Sequence, residues 1–374
     1  MNTVLNHDPA VFAVGNNYKI FVPVAEACLM WIRVGDECYY DHSNGVLRSA
    51  VTIHKITVPS EGLDKEKKYT VCYRKMIERK PYFSKTGDIE EIEYSFRPIE
   101  KLPIRIFQIA DAHGMIDPPV GAAKKFEEEF GKIDLLVLNG DVINHSGAIE
   151  NFDAFYSISS AVTKGEIPIV FSRGNHDTRG IYAESIEDYS PTDGGRSYFT
   201  FRLGPLWGIV LDFAEDKPDD HPEYGNTICA HAFRKEETAF LEAVTKKGKE
   251  HFDAKGIRLR IVISHAPFTK RCAPPFNIEE DIAAYWAKLL RERVSFDLML
   301  AGHTHTLDIS LPGSELDAFG QPCPLVIGSK PDVKQNTFIG SGVIMDKDET
   351  LVVFCDKNEI RRTAIIKNGE KNDE

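Results

Sequence analysis

Hydrophobic positions along the chain follow two different rules. Between residues 10 and 98, apolar and β-branched residues come in short runs, at 18–24, 28–34, 47–58, 69–77 and 92–96. Gly, Asn and Asp separate several of them. Runs bounded in this way read as β-strands, and none carries a helical period. From residue 104 the rule changes. Strands are predicted at 104–110, 133–138, 167–171, 206–213, 257–264 and 296–300, and helices at 121–130, 149–162, 234–247 and 278–293. Alternation of strand and helix argues for an α/β layered domain. Residues 324–366 return to strand-like runs, expected as hairpins that close the sheet. The tail 367–374, KNGEKNDE, is charged and expected to fray. The pattern therefore predicts a small all-β sandwich over residues 1–100 and a larger α/β domain over 101–374, joined near 97–103.

Composition narrows this picture. A chain of 374 residues is about two domains long. With 42% hydrophobic and 27% charged residues it is neither disordered nor collagen-like. The net charge of −12 argues against a general nucleic-acid binder, which needs a basic face. No apolar run approaches the length of a membrane span, so no membrane partner is expected. The N-terminus has no basic start followed by an apolar stretch, and the cytoplasm is the expected compartment. Seven scattered cysteines form no C-x-x-C pair. Reduced thiols are the expectation, with a Cys28–Cys38 bridge as the alternative.

Chemistry concentrates at strand ends. The strand at 104–110 runs into Asp111 and His113, and that at 133–138 into Asn139-Gly140-Asp141. The strand at 167–171 is followed by Gly174-Asn175-His176-Asp177. Those at 257–264 and 296–300 run into His265 and into Gly302-His303-Thr304-His305. Ligands of open α/β sheets bind at the carboxyl ends of strands. Five predicted strand ends thus deliver Asp, Asn and His to one edge of one sheet. Singly, each is an ordinary turn or cap residue. Together they are a metal site, and too large a donor set for one ion. Oxygen and nitrogen donors without thiolate favour Mn, Fe, Zn or Co.

Asp111-x-His113, Gly140-Asp141, Gly174-Asn175-His176-Asp177, His265 and Gly302-His303-x-His305, in this order, resemble the calcineurin-like metallophosphoesterase family. The resemblance covers about residues 104–310. It implies a four-layer fold, two mixed β-sheets flanked by helices, preceded here by the small all-β sandwich. It implies two divalent metal ions, one taking Asp111, His113, Asp141 and His305, the other Asp141, Asn175, His265 and His303. Asp141 would bridge them. His176 would be the general acid, oriented by Asp177. A metal-bridging hydroxide would attack phosphorus in a small phosphate ester, mono- or diester. The β-rich region before such a domain looks like the arrangement in purple acid phosphatases, whose first domain resembles fibronectin type III. Residues 198–212 are also similar to that group. The metal motifs depart from it. Those enzymes have glycine where His113 stands and a tyrosine ligand where Asn144 stands, so no obligatory ferric ion is expected.

Other polar residues near these motifs carry weaker expectations. Arg179 could clamp a phosphate oxygen, and Arg173 is more simply an ion pair. Asn144 and His145 either face the pocket or cap a helix beginning near Ser146. Lys270 and Arg271 could meet a charged substrate, although an exposed loop explains them as well. The irregular stretch 214–230, with His221 and with His231 just beyond it, has the length of a lid. Tyr285 and Trp286 read as core. Two further functions stay open, a nuclease of the same superfamily and a metal-binding scaffold without activity.

Overall fold

The computed structural model describes residues 4–367. The end of the tail expected to fray, 368–374, lies outside them. Lys367 itself closes the last strand, Ile360–Lys367.

Two sheets face each other in the larger part of the chain. The first runs, edge to centre, through Ile360–Lys367, Glu349–Cys355, Thr337–Met345, Ile104–Ile109, Leu135–Asn139 and Ile169–Ser172. The second contains Phe199–Leu203, Leu206–Leu211, Leu259–Ser264, Leu298–Ala301, Leu325–Ile327 and Asp308–Ser310, in that order. Each mixes parallel and antiparallel pairs. Side chains alternate between faces. Ile104, Ile106, Leu135 and Val137 turn inward and meet Ile261, Ile263, Leu298 and Leu300 from the second sheet. Phe107, Ile109, Leu136 and Leu138 turn outward against helices Asp117–Phe130 and Phe152–Thr163. Ile209, Leu211, Val262 and Met299 do the same for helices Ala230–Thr245 and Glu280–Arg293. Strands covered on both faces explain why the sequence shows continuous apolar runs rather than alternation. The order helix, sheet, sheet, helix is the expected four-layer fold.

The N-terminal strands extend the first sheet and add a further, smaller one. Ala10–Val14, Asn17–Pro23 and Ile53–Pro59 lie in one. Glu90–Ser95, Lys68–Glu78, Cys28–Val34 and Glu37–Tyr40 lie in the other. Val22, Ile56 and Val58 share a core with Met30, Ile32 and Val71. The expected sandwich over 1–100 is not free-standing, however. Its first strand pairs in parallel with the sheet of the larger part, Phe12 opposite Ile169. The same buried cluster continues into both parts. A short helix, Ser60–Glu66, interrupts the β pattern. The run at 47–58 is broken into two strands, Val46–Leu47 and Ile53–Pro59. Within this region Cys28 Sγ, His54 Nε2 and Asp41 align, with His54 Nδ1 2.7 Å from Asp41 Oδ2. All three are buried inside the sandwich. Among the described residues no disulfide forms, and Cys28 and Cys38 are both free thiols.

Two amides join the facing sheets beside the strand ends that matter. Gln108 Nε2 donates to the carbonyls of Ala301 (2.8 Å) and Gly328 (2.9 Å). Asn139 Nδ2 donates to Gln108 Oε1 and to the Leu300 carbonyl, each at 3.2 Å. Both side chains are buried. A buried polar group is tolerated only when paired. Their NH2 groups are paired across the gap between sheets, and so hold the strand ends in register, while Asn139 Oδ1 has no hydrogen-bond partner among the described residues.

Candidate metal centre

The ligand-bearing loops leave two sheets rather than one. Asp111 and His113, Asp141, and Asn175 follow three strands of the first sheet. His265, and His303 with His305, follow two strands of the second. The expectation of one edge of one sheet is corrected accordingly. The centre lies where the two sheets' carboxyl edges meet.

The loops make sharp turns. Asp111, His113, Asp141, His303 and His305 all have positive φ, between 47° and 69°. This left-handed region costs a non-glycine residue about 1–3 kcal/mol, and such residues cluster at functional sites. Close approach also requires glycine at two positions. A Cβ on Gly174 would stand 2.2 Å from Asp141 Oδ1, and one on Gly302 2.5 Å from the Ala110 Cβ.

Three overlapping groups of ligand atoms result. Asp111, His113 and His305 lie within 4.8 Å of one another. So do Asp141, His265 and His303, and so do His113, Asp141 and His176. His265 Nδ1 donates to the Asn139 carbonyl (2.7 Å), which leaves Nε2 facing Asp141 Oδ2 at 3.3 Å and Asp111 Oδ1 at 3.8 Å. The Asp111 carboxylate accepts from the His303 backbone N–H at 2.9 Å. His113 Nε2 and His305 Nε2 stand 3.1 Å apart. Asn175 Oδ1 faces His303 Nδ1 at 3.1 Å and Asp141 Oδ2 at 3.2 Å. An amide oxygen turned toward two acceptors is favourable with a cation between them. Turned over, the same amide would donate to both and accept from Arg179 Nη2. The donor set, imidazole nitrogen, carboxylate and amide oxygen, fits borderline divalent ions.

Electrostatics set these donors apart. Burial pushes His113 down to about 4, against the pull of Asp141 and Asp111, so its ring is neutral and offers a lone pair. Burial lowers His303 as well. For His265 burial acts in the same direction but is outweighed by Asp141 and Asp111, which raise it to about 10. Asp141 is held below the usual carboxylate range. Burial opposes this, and His265, His176 and His113 outweigh it.

His176 is presented differently. Its Nδ1 donates to the Asn144 carbonyl at 2.7 Å, and its backbone N–H donates to Asp141 Oδ1 at 2.8 Å. Nε2 is left toward the centre, 3.9 Å from Asp141 Oδ2. The expected orienting role of Asp177 is therefore corrected. A backbone carbonyl holds the ring, and Asp177 Oδ2 accepts from the N–H groups of Gly174 (2.7 Å) and Asp141 (3.2 Å). Asp177 staples two ligand loops together. Burial and the nearby Asp141 raise it to about 7. Asp177→Ala leaves two buried N–H groups unpaired, at about 1–3 kcal/mol each. Urea unfolding is expected to show that loss of stability, and unchanged stability would deny the staple.

Other expectations divide. Arg179 is not free to clamp a phosphate. Its Nε and Nη2 each meet a Glu215 carboxylate oxygen at 3.0 Å, and Nη1 lies 3.2 Å from Glu223. That Nη1 is also 3.5 Å from His176 Nε2. Asn144 contributes through its carbonyl, and its side chain is exposed. His145 Nδ1 accepts from the Gly147 N–H and so shapes its own loop, while the helix there begins at Ile149–Asn151 rather than near Ser146. Arg173 pairs with Asp212 at 2.6 Å, and Arg271 with Glu280 at 3.2 Å. His221 caps Pro222–Tyr224, and His231 pairs with Glu279. Trp286 is core, but Tyr285 is exposed and donates to Glu242. The start of the supposed lid is an anchor. Glu215 is fully buried and accepts from Thr178, Arg179 and Tyr224. Asp216 reaches the centre, with Oδ2 3.7 Å from His303 Nε2. Nothing in the order of residues marks Gln108, Glu215 or Asp216, and Asn139, although it stands at a strand end, serves the contact between sheets. Their partners are far along the chain.

A purple acid phosphatase from seeds of yellow lupin (Lupinus luteus) superposes with a TM-score of 0.58 at 12% identity, over 97% of this chain and 75% of that one. Vps29 from Chaetomium thermophilum, complexed with a cyclic peptide, matches 71% of this chain and 96% of its own at 11% identity, with a TM-score of 0.27. No curated protein matches the chain. The model of the calcineurin-like phosphoesterases matches residues 104–307, the span that carries every ligand loop described above. The chain belongs to the calcineurin-like phosphoesterase family and is a metal-dependent phosphoester hydrolase.

Proposed function

We propose that the chain hydrolyses small phosphate esters at a pair of divalent ions. Asp111, His113, Asp141 and His305 would hold one ion, and Asp141, Asn175, His265 and His303 the other. The observation that carries this is the overlap of ligand groups, with Asp141 lying 3.3 Å from His265 and 3.2 Å from Asn175 while His113 shares a further group with it. When bound, two such ions neutralise phosphate charge and make water acidic enough to ionise near neutral pH.

The chain's own groups then have distinct tasks. His176, with Nδ1 committed to the Asn144 carbonyl, offers only Nε2 to the cleft. From there it can hydrogen-bond a phosphate oxygen or protonate the departing alkoxide. Arg179 keeps its Nη1 beside that nitrogen, because the two Glu215 carboxylate oxygens hold Nε and Nη2. His265 and Asp111 are buried, which fixes them beneath the cleft.

Apo and metal-loaded protein should be assayed on p-nitrophenyl phosphate and bis-p-nitrophenyl phosphate, with metal content measured on the same samples. Turnover that appears only with metal, approaching two ions per chain, is expected. No turnover of either ester with both ions bound would sink the reading.

A further inference from the structure

The imidazoles of the centre differ in what steadies them. His265 and His176 each commit Nδ1 to a backbone carbonyl at 2.7 Å. His303 has no such carbonyl. Its Nδ1 faces Asn175 Oδ1 at 3.1 Å, on the ligand side, and its Nε2 faces Asp216 Oδ2 at 3.7 Å. Asp216 is itself fixed. Its other oxygen, Oδ1, takes Lys217 Nζ at 2.8 Å and the Tyr224 hydroxyl at 3.2 Å, with Arg179 Nη2 at 3.9 Å. Its neighbour Glu215 is fully buried in the grip of Arg179, Thr178 and Tyr224. The backbone carrying Asp216 is thus tied to the loop that carries Asn175 and His176.

We infer that Asp216 is a positioning residue for the second ion. Its Oδ2 faces His303 Nε2 at 3.7 Å and, after a small approach, would accept the proton of that nitrogen and so keep the Nδ1 lone pair turned toward the ion, beside Asn175. This rests on the two-ion reading above. A carboxylate behind a ligating histidine fixes its tautomer and orientation and increases its basicity. The arrangement also sends the chain's long 214–230 stretch to the centre by its first residues, so that it sets metal affinity at one of two sites rather than both.

The test is a titration of metal-free full-length protein with Mn²⁺, followed by calorimetry and by the electron paramagnetic resonance of spin-coupled ion pairs. Asp216→Ala is expected to weaken the second binding event by about 10–100-fold, the usual cost of removing such a partner. The first event should be unchanged, and an uncoupled single-ion spectrum should appear where the wild type shows a coupled pair. Asp216→Asn keeps an oxygen that can accept from Nε2, and should recover most of the second event. Three results overturn the inference: two unchanged binding events in Asp216→Ala, weakening of both events together, or equal losses in the Ala and Asn variants. The last would mean that the charge itself ligates. Wild-type protein that binds a single ion would instead remove the two-ion reading on which the inference stands.

Discussion

Asp141→Asn is expected to lower kcat on phosphate esters by about 10³-fold or more and to lose metal at the same time. Asp141 is the carboxylate common to two of the three ligand groups. Its Oδ2 lies 3.3 Å from His265 Nε2 and 3.2 Å from Asn175 Oδ1, and its Oδ1 accepts from the backbone of His176. It is 2% exposed, so water does not replace it. The ions' charge stabilisation is worth several kcal/mol, and about 4 kcal/mol corresponds to about 10³ in rate. The amide is nearly isosteric, so packing survives while the negative charge does not. Metal analysis after dialysis is the deciding measurement. A variant that kept two tightly bound ions would show that Asp141 does not bridge.

His176→Ala is expected to separate esters by their leaving groups. For alkyl phosphates kcat should fall by about 10²–10⁴-fold, the usual share of a general acid. For p-nitrophenyl phosphate, whose leaving group departs without a proton, the loss should be far smaller. Geometry supports the assignment. The ring is anchored by the Asn144 carbonyl on one side and presents Nε2 to the centre on the other. Metal content should stay near that of the wild type. Equal losses on both kinds of ester would remove the acid role and leave His176 as a hydrogen-bond donor to phosphate.

The grouping of these residues is legible in the sequence, because each candidate ligand follows shortly after an apolar strand. The chain must leave the sheet there, and polar residues at that point reach solvent or a ligand. His303 and His305 are two residues apart, and a glycine precedes them. Less legible were residues whose partners are distant in sequence. Arg179 looked available for phosphate because Glu215, 36 positions later, is invisible from its neighbourhood. Asp177 looked like a partner for its neighbour His176, yet the buried N–H groups of Gly174 and Asp141 claim it first. A buried N–H must be paired, and an imidazole at the surface can find another acceptor. Asn144 serves through its carbonyl, a contribution that no side-chain pattern could signal.

Alternation and apolar runs along the chain were enough to imply strands, helices and a layered α/β part, since burial on one face or two leaves a periodic trace. The order of the five ligand-bearing blocks was enough to imply the family. Tertiary structure alone decided that those blocks come from two facing sheets, tied by Gln108 and Asn139. It alone showed the N-terminal sandwich continuing a sheet of the larger part through Phe12 and Ile169. It alone brought Asp216 to His303, 87 positions away. The physical reason is common to all three. Periodicity records which face of an element is covered, but the identity of what covers it is set by long-range packing and pairing, which leave no mark on neighbouring residues.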